Sequence, residues 1–122
     1  MATLTAQTKL TVSDIVADAI ALDVSMTPTV LAGGITSKTL TSARATGSAL
    51  TVVEATYFAE GTTVYLRNMS SSETVSVELT SGTTHLTLGP LTWTVFPWKA
   101  ATDIEVFSTD VCQLEVGIFS AA

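Results

Sequence analysis

From Leu50 to Phe119 apolar and polar residues alternate almost without a break. A period of two leaves the chain one way to bury an apolar face, as β-strands. Val64 and Leu66 alternate with Tyr65 and Arg67, Val75 and Val77 with Ser76 and Glu78, Ile104 and Val106 with Glu105, and Cys112, Leu114, Val116 and Ile118 with Gln113 and Glu115. In this reading Ser76 and Glu78 face out. Turn signals separate the runs: Ala59-Glu60-Gly61, Ser70-Ser71-Ser72, Ser81-Gly82-Thr83, Gly89-Pro90 and Thr109-Asp110.

The first quarter repeats the pattern. Leu4, Ala6, Leu10 and Val12 alternate with Thr3, Thr5, Gln7, Lys9 and Thr11, and Ile20, Leu22, Val24 and Met26 alternate with Asp23, Ser25 and Thr27. Between them Asp14 to Asp18 fits either a single helical turn or a continued strand. Pro28 to Ser48 is the least regular segment. Gly33-Gly34 reads as a turn or hinge, and Ser42 to Ser48 as a flexible loop. About eight short strands with turns every 8 to 12 residues predict an all-β fold, an antiparallel β-sandwich or jelly-roll-like barrel. Extended N-terminal and mid-chain loop segments accompany it. Residues 1–122 form one domain in this reading, with N-terminal strands and a flexible arm over 1–48 and a β-meander core over 49–122.

Composition narrows the function. Five basic residues face eleven acidic ones, a net charge of −6, and such a surface repels phosphate backbones, so nucleic acid is not an expected partner. Only 13% of residues are charged, and 23 Thr and 12 Ser supply the polarity instead. A surface of hydroxyls is cheap to desolvate, which suits a chain partly covered by other subunits, since charge is depleted at interface cores. No run approaches the roughly 18 apolar residues of a membrane span. The N-terminus, Met1-Ala2-Thr3-Leu4-Thr5, lacks the basic and apolar regions of a secretory signal, so synthesis in the cytoplasm is expected.

No catalytic signature emerges. His85 is the only histidine, no Gly-x-Ser-x-Gly elbow accompanies it, and it reads as a surface residue at a strand end. Cys112 shares the phase of Leu114 and Val116 and reads as an inert core thiol. Asp103 and Glu105 share one strand face, as solvated strand faces routinely do. One His and one Cys are too few for structural zinc, and no calcium-loop run is present, so neither metal nor cofactor is expected. Asn68-Met69-Ser70 matches a glycosylation sequon, but without a secretory signal it reads as a chance tripeptide in a turn.

Both tryptophans and two of three prolines fall between Leu88 and Lys99. Leu91, Trp93 and Val95 point one way, and Thr92, Thr94, Phe96 and Trp98 the other. One ring must be core. We expect Trp93 to fill that role and Trp98 to stand at an edge, because Pro97 cannot donate a ladder hydrogen bond. The candidate interface is Trp98 with Phe96 and Pro97, together with Tyr65 and Arg44. A sugar-binding module would use the same rings, although one Asn and two Gln are a thin supply of polar partners.

These residues resemble a loosely defined group of small virion proteins of tailed double-stranded DNA phages, including cyanophages and other marine phages. The likeness rests on a Thr/Ser-rich strand pair like Leu4 to Val24 and a Gly-containing segment like Ala32-Gly33-Gly34-Ile35. It continues through strands like Val64 to Asn68 and Val75 to Leu79, a Leu-x-Pro turn into Phe96-Pro97-Trp98, and a closing strand like Leu114 to Phe119. Many such chains place Gly directly after the turn proline, where this one has Leu91, and Lys38 to Ser48 has no counterpart. The resemblance implies a non-enzymatic head-decoration (cement) or other structural virion role. The expected partners are the major capsid protein, other virion subunits and the chain itself as a homo-oligomer, with the capsid exterior favoured over the tail. The alternative is a carbohydrate-binding or host-attachment module of a tail or fibre. The segments Met1 to Leu4 and Leu40 to Ser48 would then be arms that order on binding.

Overall fold

A computed structural model describes residues 2–12, 20–26, 29–40, 50–80, 83–99 and 102–121. The fold is all-β, as the alternation predicts. The described residues form eleven strands: β1 (Ala2–Thr3), β2 (Ala6–Val12), β3 (Ile20–Met26), β4 (Thr29–Leu40), β5 (Leu50–Val53), β6 (Thr62–Asn68), β7 (Val75–Thr80), β8 (Thr83–Leu88), β9 (Trp93–Trp98), β10 (Ile104–Ser108) and β11 (Cys112–Ala121). A 3-10 turn, Ala55–Tyr57, lies between β5 and β6.

Strands β4 to β11 form the sandwich. One sheet has the order β1-β4-β11-β6-β9 and the other β5-β10-β7-β8, all pairs antiparallel. The chain folds back on itself about the β7–β8 hairpin, so that β6 meets β9, β5 meets β10 and β4 meets β11. This double-stranded ribbon then rolls into two sheets through the β11–β6 and β10–β7 pairs. That strand order is a jelly roll. The expected meander is thereby corrected, since within β4 to β11 only β7 and β8 are consecutive neighbours in one sheet. The division at residue 48 falls as well, because β4 lies inside the first sheet and Leu40 is fully buried in the common core.

The core lies between the sheets. Val64, Leu66, Leu114 and Val116 come from one side and Val75, Val77, Ile104 and Val106 from the other, none more than 1% exposed. Each such side chain contributes roughly 1.5–3 kcal/mol on burial. Cys112 joins them as expected, and burial pushes its thiol pKa up, opposed by a backbone hydrogen bond from Ser70.

Three expectations from sequence are corrected by register. Gly33 and Gly34 are no hinge; they sit inside the longest strand, β4. A Cβ on Gly33 would come within 2.3 Å of Phe119 Cδ1, so the missing side chain makes room for the neighbouring ring. Glu78 is fully buried instead of facing solvent, for it lies on a central strand flanked by Glu105 and Thr84, where the β7–β8 register shifts. Ala2–Thr3, expected in a free arm, pairs with Val30 and Thr29 of β4. Asp14 to Asp18 and Ser42 to Ser48 lie outside the described residues.

The tryptophans exchange roles. In the β6–β9 ladder Trp98 faces Thr62, Phe96 faces Val64 and Thr94 faces Leu66, so the even positions of β9 share the inner face of β6. Trp98 is 5% exposed with its ring centroid 6.3 Å from that of Phe58, whereas Trp93 is 47% exposed. Trp98 is therefore core and cannot be the contact ring. Pro97 stands where expected, on a strand at the edge of its sheet. Trp98→Ala should destabilise the domain by roughly 3–5 kcal/mol in denaturant melts, and Trp93→Ala should stay within about 0.5 kcal/mol of the parent.

Candidate interaction face on the five-stranded sheet

Since even positions of β6, β9 and β11 fill the core, odd positions build the opposite face. Register lines them up in rows. Ile35, Gly117, Tyr65 and Val95 form one row; Ser37, Glu115, Arg67 and Trp93 form the next; Gly33, Phe119, Thr63 and Pro97 form a third. Gly117 matters to the first row, because a Cβ there would lie 3.1 Å from the Tyr65 ring and 3.2 Å from that of Phe119. Two aromatic rings thus lie close over a strand backbone that carries no side chain at that point.

The face has a polar centre. Tyr65 Oη donates to Glu115 Oε1 at 2.7 Å. Burial holds the Tyr65 hydroxyl above its ordinary pKa of 10.0, the Glu115 carboxylate adds to this, and Arg67 opposes it. Arg67 is half-buried, and its Nε is sealed from solvent without a hydrogen-bond acceptor. Its cross-strand neighbours are Glu115 and Trp93.

Above this face lies the β2–β3 hairpin, a two-stranded sheet of its own. Leu4, Ala6 and Thr8 are half-buried while Thr3, Thr5, Gln7 and Lys9 are exposed, so one face of the hairpin meets the sandwich. Between Leu4 to Gln7 and the rings of Tyr65, Trp93 and Phe119 remains a cavity of about 230 Å³.

The turn into β9 shapes one rim. Thr92 N donates to Gly89 O at 3.1 Å, and Leu91 has φ 59°, the arrangement of a type II turn with Pro90 at its second position. Glycine is the usual occupant of Leu91's position. Here a leucine accepts left-handed strain and is 53% exposed, which places a large apolar side chain beside Trp93. The turn is held by Asn68. Its side-chain nitrogen donates to the carbonyls of Glu73 (2.6 Å), Leu88 (3.0 Å) and Gly89 (3.0 Å). Its Oδ1 accepts from Ser70 N at 2.9 Å and from the Cys112 thiol at 3.2 Å. The would-be sequon asparagine is thus a fully buried structural hub.

Of the five residues chosen from sequence, Tyr65 lies half-buried on this face and Pro97 is exposed at its edge. Trp98 is buried and Phe96 packs against the core, both on the wrong side for contact. Arg44 lies outside the described residues. Trp93, Leu91, Ile35 and Phe119 were missed. Alternation puts Trp93, Leu91 and Val95 on one face, and only the pairing of β9 with β6 makes that face the outer one.

Elsewhere, His85 is exposed and accepts from Leu79 N through Nδ1 at 3.3 Å, and Asp103 accepts from Ala55 N at 2.8 Å. Among the described residues no three His, Cys, Asp or Glu side chains gather as a metal site, and no helix is long and apolar enough to cross a membrane. No protein-family model, curated protein or solved structure matches the chain.

Removing the hub with Asn68→Ala leaves buried carbonyls without donors and should cost roughly 2–4 kcal/mol, read as a lower denaturant midpoint at unchanged slope. Leu91→Gly should act in the other direction. Relief of left-handed strain, less the entropy of glycine, predicts a gain of roughly 0.5–1 kcal/mol in the same measurement.

Proposed function

We propose that this chain is a non-enzymatic structural subunit of a phage virion, one that decorates or cements the capsid exterior through contacts with the major capsid protein and with itself. The observation that carries the reading is the outer face of the five-stranded sheet. There Trp93, Tyr65 and Arg67 adjoin one another, the three residue types that dominate the energetics of protein interfaces. Leu91 and Ile35, each more than half exposed, extend the apolar surface around them. Thr and Ser, not charges, make up much of the chain's polar surface, so little desolvation opposes a partner. The capsid placement is supported by the resemblance of the sequence to small virion proteins, and the net charge of −6 favours the outer shell over a wall facing packaged DNA.

A carbohydrate-binding module is the second reading. It is favoured by one observation, an exposed Trp93 ring beside Arg67 and the Tyr65–Glu115 pair, since an aromatic face with adjacent polar groups is how sugars are held.

Particles should contain the chain in near-integer ratio to the major capsid protein. A few copies per virion, or none, would remove the cement role. In sedimentation, Trp93→Ala should weaken self-association at least tenfold without lowering the melting midpoint. Trp93-dependent binding on a glycan array, with no self-association, would establish the second reading instead.

A further inference from the structure

We propose that Arg67 is the receptor for a carboxylate, and that the cleft beside it takes an acidic side chain of a partner protein flanked by apolar ones. The proposal deepens the interface reading above by naming the chemistry of the partner, and it rests on that reading.

Arg67 stands on the outer face of β6, between Trp93 of β9 and Glu115 of β11. Glu115 is already engaged, since its Oε1 accepts the Tyr65 hydroxyl at 2.7 Å. Arg67 Nε is sealed from solvent without a hydrogen-bond acceptor, so the half-buried guanidinium has lost water that no protein oxygen replaces at that atom. A ligand that brings oxygens to this group offsets that loss. The cleft Arg67 borders, of about 380 Å³, is lined by Tyr65, Arg67, Leu91 and Trp93, one cation and no acid. Beyond the Trp93 ring a second cleft, of about 540 Å³, shares Leu91 and Trp93 and reaches Lys9. Lys9 is exposed and lies across the hairpin ladder from Asp23. Two of the chain's five basic residues thus border one exposed ring, in a chain of net charge −6.

The shape of the cation selects the ligand. A guanidinium pairs with a carboxylate through two parallel N–H donors, and the pair strengthens where neighbours exclude water. Leu91 and Trp93 become such neighbours once a partner covers them. A phosphate-rich chain would meet the negative field of the whole molecule, whereas a single carboxylate answers to the local cation. An acidic sugar would use the ring but leaves nothing to cover the aliphatic carbons of Leu91, or of Ile35 in the adjoining row, both more than half exposed. A protein segment supplies both, an acid for Arg67 and apolar side chains for Leu91 and Trp93.

NMR titration of the full chain tests this, with N-acetyl-Leu-Glu-Leu amide and its neutral isostere N-acetyl-Leu-Gln-Leu amide as probes. The indole signal of Trp93 should shift and that of buried Trp98 should not. The glutamate peptide should bind at least about fivefold more tightly than the glutamine one. Arg67→Met should bring the two peptides to equal affinity, and Arg67→Lys should keep part of the difference. Trp93→Ala should weaken both peptides and leave their ratio unchanged. Arg67→Gln replaces Arg67→Met should the latter fail to fold. Equal binding of the two peptides by the wild type, a preference that survives in Arg67→Met, or no shift with either peptide overturns the proposal. A stronger response of Trp93 to glucuronate than to either peptide would put an acidic sugar in its place. The capsid reading is separable from all of these, because it stands or falls on particle stoichiometry.

Discussion

One buried carboxamide holds the end of the sandwich where the chain crosses between sheets. Asn68 closes β6 and reaches the β6–β7 connection at Glu73 and Ser70, the end of β8 at Leu88, the turn at Gly89 and the start of β11 at Cys112. In a jelly roll these segments come from distant parts of the chain and cannot complete one another's hydrogen bonds through ladders alone. A side chain with both donors and an acceptor resolves this at one point. The same point fixes where β9 begins, because Asn68 N also donates to Thr92 O at 2.9 Å.

From there the phase of β9 follows. A strand that starts at Trp93 opposite Arg67 must turn Trp98 inward opposite Thr62, since a slip of one residue would reverse every side chain. The exposed face is thus a consequence of how the core is filled. Val64, Leu66, Leu114 and Val116 occupy one phase of β6 and β11, and Tyr65, Arg67, Glu115 and Phe119 are what the other phase contains. Glycines at 33 and 117 give the rings room, and the left-handed Leu91 adds an apolar rim at a cost in stability. The strained turn is what sets the exposed Leu91 side chain beside Trp93.

The sheet edges tell a related story. β9 carries Pro97 next to its last residue and β1 is only two residues long, so both edges of the five-stranded sheet are blunted against ladder-to-ladder growth. Growth of that sheet by pairing at its edges is disfavoured.

What the sequence determined was local. The period of two made every run from Leu50 to Phe119 a strand, the turn residues separated them, and the inward phase of β6, β10 and β11 followed from the clustering of Val, Ile and Leu. Pro97 left β9 either ending there or lying at an edge, and the sheet order chose the edge. What only the tertiary structure decided was which runs pair. Both phases of β9 carry a tryptophan, so composition could not tell core from surface, and the ladder with β6 chose Trp98. β4 is not legible because Gly33-Gly34 reads as a turn, whereas in the fold the Phe119 ring occupies the space a side chain at Gly33 would fill. The candidate site depends on side chains from β4, β6, β9 and β11 meeting in rows, and alternation within one strand carries no information about its neighbours in space.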